Sequence, residues 1–387
     1  MGASTGIAWT TSPRPTLGVE LELQVVDAET GDLVSLANEI LADVGAGHPE
    51  GEHPKAKHEL FQSIIEVITG VCDTPAEAHA DLTATIAEVA AAAARRGARL
   101  ASAGTHPFAL SRDQVVSPQP RYHQLMERMQ WPARRLLIFG THVHVGVKSG
   151  ERAITIINEL RRHLPVFLAL SASSPFFEGD DSGLSSARSK VFEALPTAGL
   201  PPQLAEWSDF EEFMQTLMDA RAITSIREVW WDIRPHPGFG TIELRICDAA
   251  PTVSETVAIA ALAQALVHSI DQRIDDGTLP PPPREWTVRE NRWLAGRYGL
   301  DADLIVDDPD APTVTRVPAR ERIERLVAAV RPAALELGTA ADLDRVLDIA
   351  ARGNGAERQR GIVANGGSLA DVVRHLVTEL RTDQPSR

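Results

Sequence analysis

Residues 16–26, TLGVELELQVV, alternate apolar and polar positions almost without a break. Successive side chains of an extended chain point to opposite sides. Leu17, Val19, Leu21, Leu23 and Val25 therefore share one face, and Gly18, Glu20, Glu22 and Gln24 the other. The stretch predicts a half-buried strand. Residues 139–148, FGTHVHVGVK, repeat the pattern, with Val143, Val145 and Val147 opposed to His142, His144 and Gly146. Residues 240–248, GTIELRICD, repeat it again, with Ile242, Leu244 and Ile246 opposed to Thr241, Glu243, Arg245 and Cys247. An antiparallel sheet with one solvated face also alternates, so each strand alone fits that description. The three together fit it poorly. Wet strand faces favour Thr, Lys and Ser, and paired glutamates repel unless a cation lies between them.

Composition narrows the function. The chain has 387 residues, 43% of them apolar, and a net charge of -15. That charge argues against a nucleic-acid partner, which needs a basic face. A phosphate site on such a protein must be locally positive, made by arginines, metal ions or helix N-termini. Cys72 and Cys247 are the two cysteines. With no Cys-x-x-Cys there is no structural zinc framework, and reduced thiols point to the cytoplasm. The stretch MGASTGIAWTTSPRP does not have the pattern of a signal peptide. Apolar runs such as Val257–Val267 are too short for a bilayer and read as buried helix, which argues against a membrane partner. There is no Gly-x-x-x-x-Gly-Lys-[Ser/Thr], no Gly-x-Gly-x-x-Gly and no Gly-x-Ser-x-Gly, so a P-loop, a dinucleotide fingerprint and a nucleophile elbow are all excluded.

Between the strands the sequence predicts helices over 75–96, 122–137, 151–171 and 253–274. Thr74, Pro75 and Glu77 mark the start of the first, and Gly97 its end. Residues 173–202 are rich in Ser, Gly, Pro and Asp and predict a long loop carrying Arg188, either functional or disordered. LPPPP, 279–283, is a stiff connector. The expected division is an α+β domain over 1–283 and a helical segment, 284–380, packed on it.

Glu20 and Glu22 share a strand face and are within reach of one hard cation. Magnesium suits such a site, because it takes oxygen ligands and keeps waters and substrate phosphates. Glu59 and Glu66 add carboxylates from a second element. Seven residues apart, they point the same way only if a bulge intervenes or Glu59 lies before the strand proper. Glu66 sits among Ile64, Ile65, Val67 and Ile68, where a carboxylate needs a partner. His142 and His144 also match the pair that opens the metal site of amidohydrolase barrels, which leaves a metal-dependent hydrolase as an alternative. One of them is expected to touch metal or phosphate and the other to support it. Arg188, Arg234 and Arg245 are candidates to neutralise phosphoryl charge, because the guanidinium fork matches phosphate oxygens.

In series, GVELELQVVD, HELFQSIIEVITG, AGTHPFA, HVHVGV, SSPFFEGDDSG, ARSKVFEALPTAGLPP, WWDIRPHPGFGTIELRICDAAPTV and RENRWLAGRYGLDA resemble the glutamate–cysteine ligase type 2 family, in its carboxylate–amine ligase branch. The resemblance implies a glutamine-synthetase-like fold, a curved, mainly antiparallel sheet forming a funnel with helices outside. It implies ATP with magnesium, manganese being an alternative, and small-molecule carboxylate and amine substrates, by default glutamate and cysteine. Carried over by position, Glu20, Glu22, Glu59, Glu66, His144 and Glu243 are implied metal ligands. His142, His144, Arg245 and Trp231 are implied nucleotide contacts, and Arg245, Arg188 and Arg234 the catalytic cations. Where the family's loop reads like GYASYRS, this chain has GLSSARS, a departure that bears on substrate identity. A non-catalytic nucleotide-binding homologue is the remaining alternative. An exposed sheet edge would favour a homodimer.

Overall fold

The alternation becomes strand. In the computed structural model, which describes residues 6–306 and 315–385, the strands are β1 (Leu17–Asp27), β2 (Ala56–His58), β3 (Ile64–Ile68), β4 (Ala98–Ala101), β5 (Thr141–Gly146), β6 (Phe176–Phe177), β7 (Asp180–Asp181), β8 (Ile233–His236), β9 (Thr241–Leu244), β10 (Asp303–Val306) and β11 (Thr315–Pro318). The main sheet has the order β2-β3-β1-β5-β9-β8. β3 runs along one edge of β1, while β5 and then β4 share the other. All of these pairings are antiparallel, and the fold is α+β, as expected.

Each strand buries its aliphatic face. Leu17, Val19, Leu21, Leu23, Val143, Val145, Ile242 and Leu244 all lie in the main core. They pack under the helices Pro75–Arg95 and Val253–Asp275, which also touch each other. The first of these helices starts as read, with Thr74 Oγ1 accepting from the Glu77 N–H at 3.3 Å. The second is long and apolar enough to cross a bilayer, but most of that window is buried inside the protein, so its apolar surface is already spent.

Three helical expectations need correction. Residues 122–137 are not one helix. Helix Pro120–Met129 ends at Gln130, whose φ of 53° turns the chain into a short helix, Trp131–Arg134. Residues 151–171 break at a 3-10 turn, Arg161–His163, because Pro165 opens a new helix and has no N–H to continue the old one. The segment after Trp286 is not wholly helical, since β10 and β11 form a hairpin within it.

The C-terminal segment shares the main core through Leu294, Val327, Leu343 and Val346. Buried ion pairs pin it. Arg292 grips Asp232 through Nε–Oδ2 at 2.6 Å and Nη2–Oδ1 at 3.0 Å. Arg358 bridges Glu255 at 2.8 and 2.9 Å and Glu379 at 2.9 Å. R358A removes the cation between two buried carboxylates. Urea unfolding should show it destabilised by roughly 3–5 kcal/mol, and a loss below 1 kcal/mol would show that the bridge does not hold these helices.

Candidate active site

The polar face of the sheet is buried at its His142, His144 and Glu243 end, while Glu20, Glu22, Glu59 and Glu66 are half-buried. His142, His144, Arg234 and Glu243 are each no more than 6% exposed. Strand register sets the neighbours: Glu20 lies opposite His142, Glu22 opposite Glu66, and His144 and Arg234 flank Glu243 on its two sides. Glu59 follows β2 and precedes β3, so it lies before the strand that carries Glu66, which resolves their spacing. Three overlapping groups result: Glu20, His144 and Glu243; Glu20, Glu66 and His142; Glu22, Glu59 and Glu66. Within each, one ligand atom per residue lies within 4.8 Å of the others.

The histidines are oriented by their neighbours. His142 Nδ1 meets Glu20 Oε2 at 2.8 Å. His144 Nδ1 meets Thr241 Oγ1 at 2.9 Å. His144 Nε2 lies 3.2 Å from Glu20 Oε1 but makes no hydrogen bond, although it is fully buried. A ring nitrogen directed by the bond its partner nitrogen makes, and left open beside carboxylates, has the geometry of a metal ligand. The donor set is rich in oxygen, which suits magnesium or manganese over zinc. The residues present therefore fit a hard divalent cation.

Electrostatics divide the carboxylates. Burial disfavours the charge of Glu20, yet the His142 hydrogen bond and the imidazole of His144 beside it outweigh that and hold the group well below the ordinary range. Glu243 is likewise buried, and Arg245 and then Arg234 keep it ionised. Nothing comparable serves the third group. Burial and the charge of Glu59 push Glu22 up to about 8. Burial, then Glu20 and Glu59, raise Glu66 well above the usual carboxylate value. Burial raises Glu59 against the Leu60 N–H and the charge of Arg121. Carboxylates held unwillingly together are what a bound cation would relieve.

A pH dependence follows. Glu22 and Glu66 keep their protons in the folded protein at pH values where the unfolded chain has lost them, so metal-free stability falls as pH rises through that range. Below about 6.5 His142 acts the other way, because burial holds it at about 4. Between about pH 6.5 and 8 the carboxylates and His144, whose ring the charges of Glu243 and Glu20 hold above the ordinary histidine value against burial, act in the same direction. Chelated protein should melt lower at pH 8 than at 6.5, and magnesium should raise the melting temperature more at pH 8. A metal response that ignores pH would contradict this assignment.

The arginines separate into roles. Arg245 lies wholly within the acidic cluster. Its Nη1 bonds Glu243, and its buried Nε has no partner. Arg188 is not on a flexible loop, as its Ser-rich surroundings suggest. It opens the helix Ala187–Phe192, capped by Ser186, whose Oγ accepts from the Ser189 N–H at 3.2 Å. Its guanidinium donates to the carbonyls of Ile246 and Arg245, both at 3.3 Å, and its Nε is unpartnered. A Cβ at Gly140 would lie 2.3 Å from Arg188 Nη2, so only glycine lets that side chain pass. Gly140 N–H in turn donates to Glu22 Oε2 at 2.5 Å.

Arg234 and Trp231 have other partners in this structure. Arg234 spends its donors on Glu243, at 2.7 and 3.3 Å, and on the carbonyls of Ile226 and Val229. It fixes Glu243 and has little left for a phosphate. Trp231 points into a separate apolar cluster against Phe210 and Phe213, so its ring is taken up by packing. Thr241, Lys57 and Arg121 were not anticipated. Lys57 lies opposite Glu66 in β2. The strand period already puts Thr241 on the polar face, without marking it as the partner of His144, whereas nothing local marks Arg121.

A further group, His48, His53 and Glu88, lies apart from this face. His53 Nδ1 accepts from the Lys55 N–H at 3.1 Å. That leaves the ring proton on Nε2, which faces Glu88 at 3.4 Å, as a donor and not a metal ligand.

The chain is similar to known proteins over nearly its whole length. The sequence model described as Glutamate-cysteine ligase family 2 (GCS2) matches residues 16–377. A Thermobifida fusca protein provisionally named glutamate–cysteine ligase 2 is 51% identical over 98% of this chain and 94% of its own. A Gloeobacter violaceus protein with the same provisional name is 43% identical over 97% and 100%. Among solved structures, a glutamate–cysteine ligase of Francisella tularensis, in complex with AMP, superposes with a TM-score of 0.69 at 11% identity, covering 97% of this chain and 90% of that one. A bifunctional glutathione synthetase from Pasteurella multocida gives 0.66 at 12%, covering 96% and 52%. These two share the fold. The full-length match to the family and its relatives decides the matter: this chain belongs to glutamate–cysteine ligase family 2, and it is a ligase.

Proposed function

We propose that this enzyme joins a small-molecule carboxylate to an amine at the expense of ATP, with magnesium or manganese held by Glu20, Glu22, Glu59, Glu66, Glu243 and His144. The observation that carries the proposal is the convergence of three carboxylate and imidazole groups with Arg245 on one largely buried sheet face. Bound there, the cation would neutralise and orient the triphosphate. Arg245, with an unspent buried Nε, faces the same space and matches the charge that spreads over a transferring phosphoryl group.

A carboxylate is a poor electrophile. Transfer of the γ-phosphoryl group to its oxygen breaks the bond to ADP and makes an acyl phosphate. The amine then attacks the carbonyl carbon, phosphate leaves, and the amine loses a proton. Positioning and charge suffice for this, without a nucleophilic side chain. The γ-carboxylate of glutamate and the amine of cysteine are the default pair, because the family and the relatives carry those names. Release of ADP and phosphate should require both an acid and an amine. Phosphate release without either, or ligation without nucleotide, would refute the proposal.

A further inference from the structure

At the hairpin between β8 and β9 an aromatic ring stands in the open. Phe239 is 63% exposed, although its backbone belongs to a turn tied down on both sides. Gly240, at φ +67°, is packed so tightly that a Cβ would lie 1.8 Å from the Thr10 carbonyl oxygen. Phe239 lies flat on His236, with ring centroids 4.1 Å apart and planes 13° apart. His236 Nδ1 accepts from the Phe239 N–H at 3.3 Å, which fixes the imidazole beneath the phenyl ring and puts its proton on Nε2. One face of Phe239 is thus covered by His236, and the side chain remains mostly open to solvent.

The location gives the pair meaning. Strand pairing puts His236 opposite Thr241, on the polar side of the sheet. His144 meets both rings edge-on, at 5.6 Å from His236 and 5.7 Å from Phe239. The platform therefore begins one ring away from the group Glu20, His144 and Glu243. Gly18, opposite His144 in β1, has no side chain to fill the space above it. The other end of the same face is built differently. There Glu22, Gly140 and Arg188 meet, with Arg188 Nε and Gln24 Oε1 buried and unpartnered.

We propose that the stacked pair His236 and Phe239 is the platform on which the base of the nucleotide lies. The reaction axis then runs along β1, with the base at the Gly18 end and the carboxylate to be activated at the Glu22 end, four residues or about 13 Å of strand away. This rests on the ATP-dependent reading above. Stacking needs only a π-face, so the platform supplies affinity for a planar base, and the phosphate cluster beside it selects a nucleotide.

Calorimetric titration of the full chain with ATP and magnesium, without acid or amine, tests the platform, with inorganic tripolyphosphate as the probe of the phosphate cluster alone. F239A should weaken ATP by about 10- to 100-fold and leave tripolyphosphate binding unchanged, and F239W should restore ATP affinity. F239L keeps apolar bulk without the ring and should behave like F239A. Melting temperatures identical to the wild type confirm that the turn still folds. ATP affinity unaltered in both F239A and F239L overturns the platform alone, as does an equal loss of tripolyphosphate. A wild-type protein that binds neither ATP nor tripolyphosphate overturns the nucleotide reading beneath it as well.

Discussion

E20Q should lower kcat by on the order of 10³-fold while leaving the fold intact. Glu20 and Glu66 are each shared by two of the metal-competent groups, and both histidines contact Glu20. Glutamine keeps the shape and loses the charge. A metal-centred charge contribution of several kcal/mol corresponds, at about 1.4 kcal/mol per tenfold, to a loss of that size. Manganese affinity, measured by electron paramagnetic resonance, should fall in parallel, and thermal melting should move little. If E20Q turns over like the wild type, Glu20 is not a ligand and the site has been misassigned.

The second large effect concerns Arg245. Burial opposes its charge, but Glu243 and the carboxylates around it hold it protonated. R245K keeps the charge as a point and loses the planar fork. Its kcat should drop by about 10²- to 10³-fold, as for removal of a single transition-state donor. R245A should do the same and also destabilise the protein by roughly 3–5 kcal/mol, because Glu243 loses a buried partner. R245K with a rate within about twofold of the wild type would exclude Arg245 from phosphoryl transfer.

Much of this site was legible because strand geometry converts sequence parity into sidedness. Once β1, β5 and β9 are recognised, Glu20, Glu22, His142, His144 and Glu243 must share a face, and the register brings them together. Elements without a period were less readable. Arg188 looks like a loop residue because its neighbours are Ser and Gly. Ser186 in fact caps a short helix and also binds Asp248 at 2.8 Å, which draws the arginine inward. Ser followed three residues later by a helical N–H was the available signal.

The surroundings of Trp231 and Arg234 were unreadable for a different reason. Their partners, Phe210 and Phe213 in the first case and the carbonyls of Ile226 and Val229 in the second, come from a segment whose approach no local pattern fixes. The β10–β11 hairpin was missed although DLIV and TRVP flank a Pro- and Asp-rich stretch, because each strand has only four residues. Residues 307–314 between them lie outside the described structure. Arg121 is positioned by tertiary contact alone, its guanidinium bonding the Tyr122 hydroxyl that itself donates to His58 O at 2.7 Å.

Anomalous diffraction from crystals grown with manganese and ADP tests the central assignment most directly. Manganese peaks are expected on the polar sheet face, within about 2–2.5 Å of oxygens from Glu20, Glu22, Glu66 and Glu243. Manganese found instead at His48, His53 and Glu88, with none among these carboxylates, would contradict it.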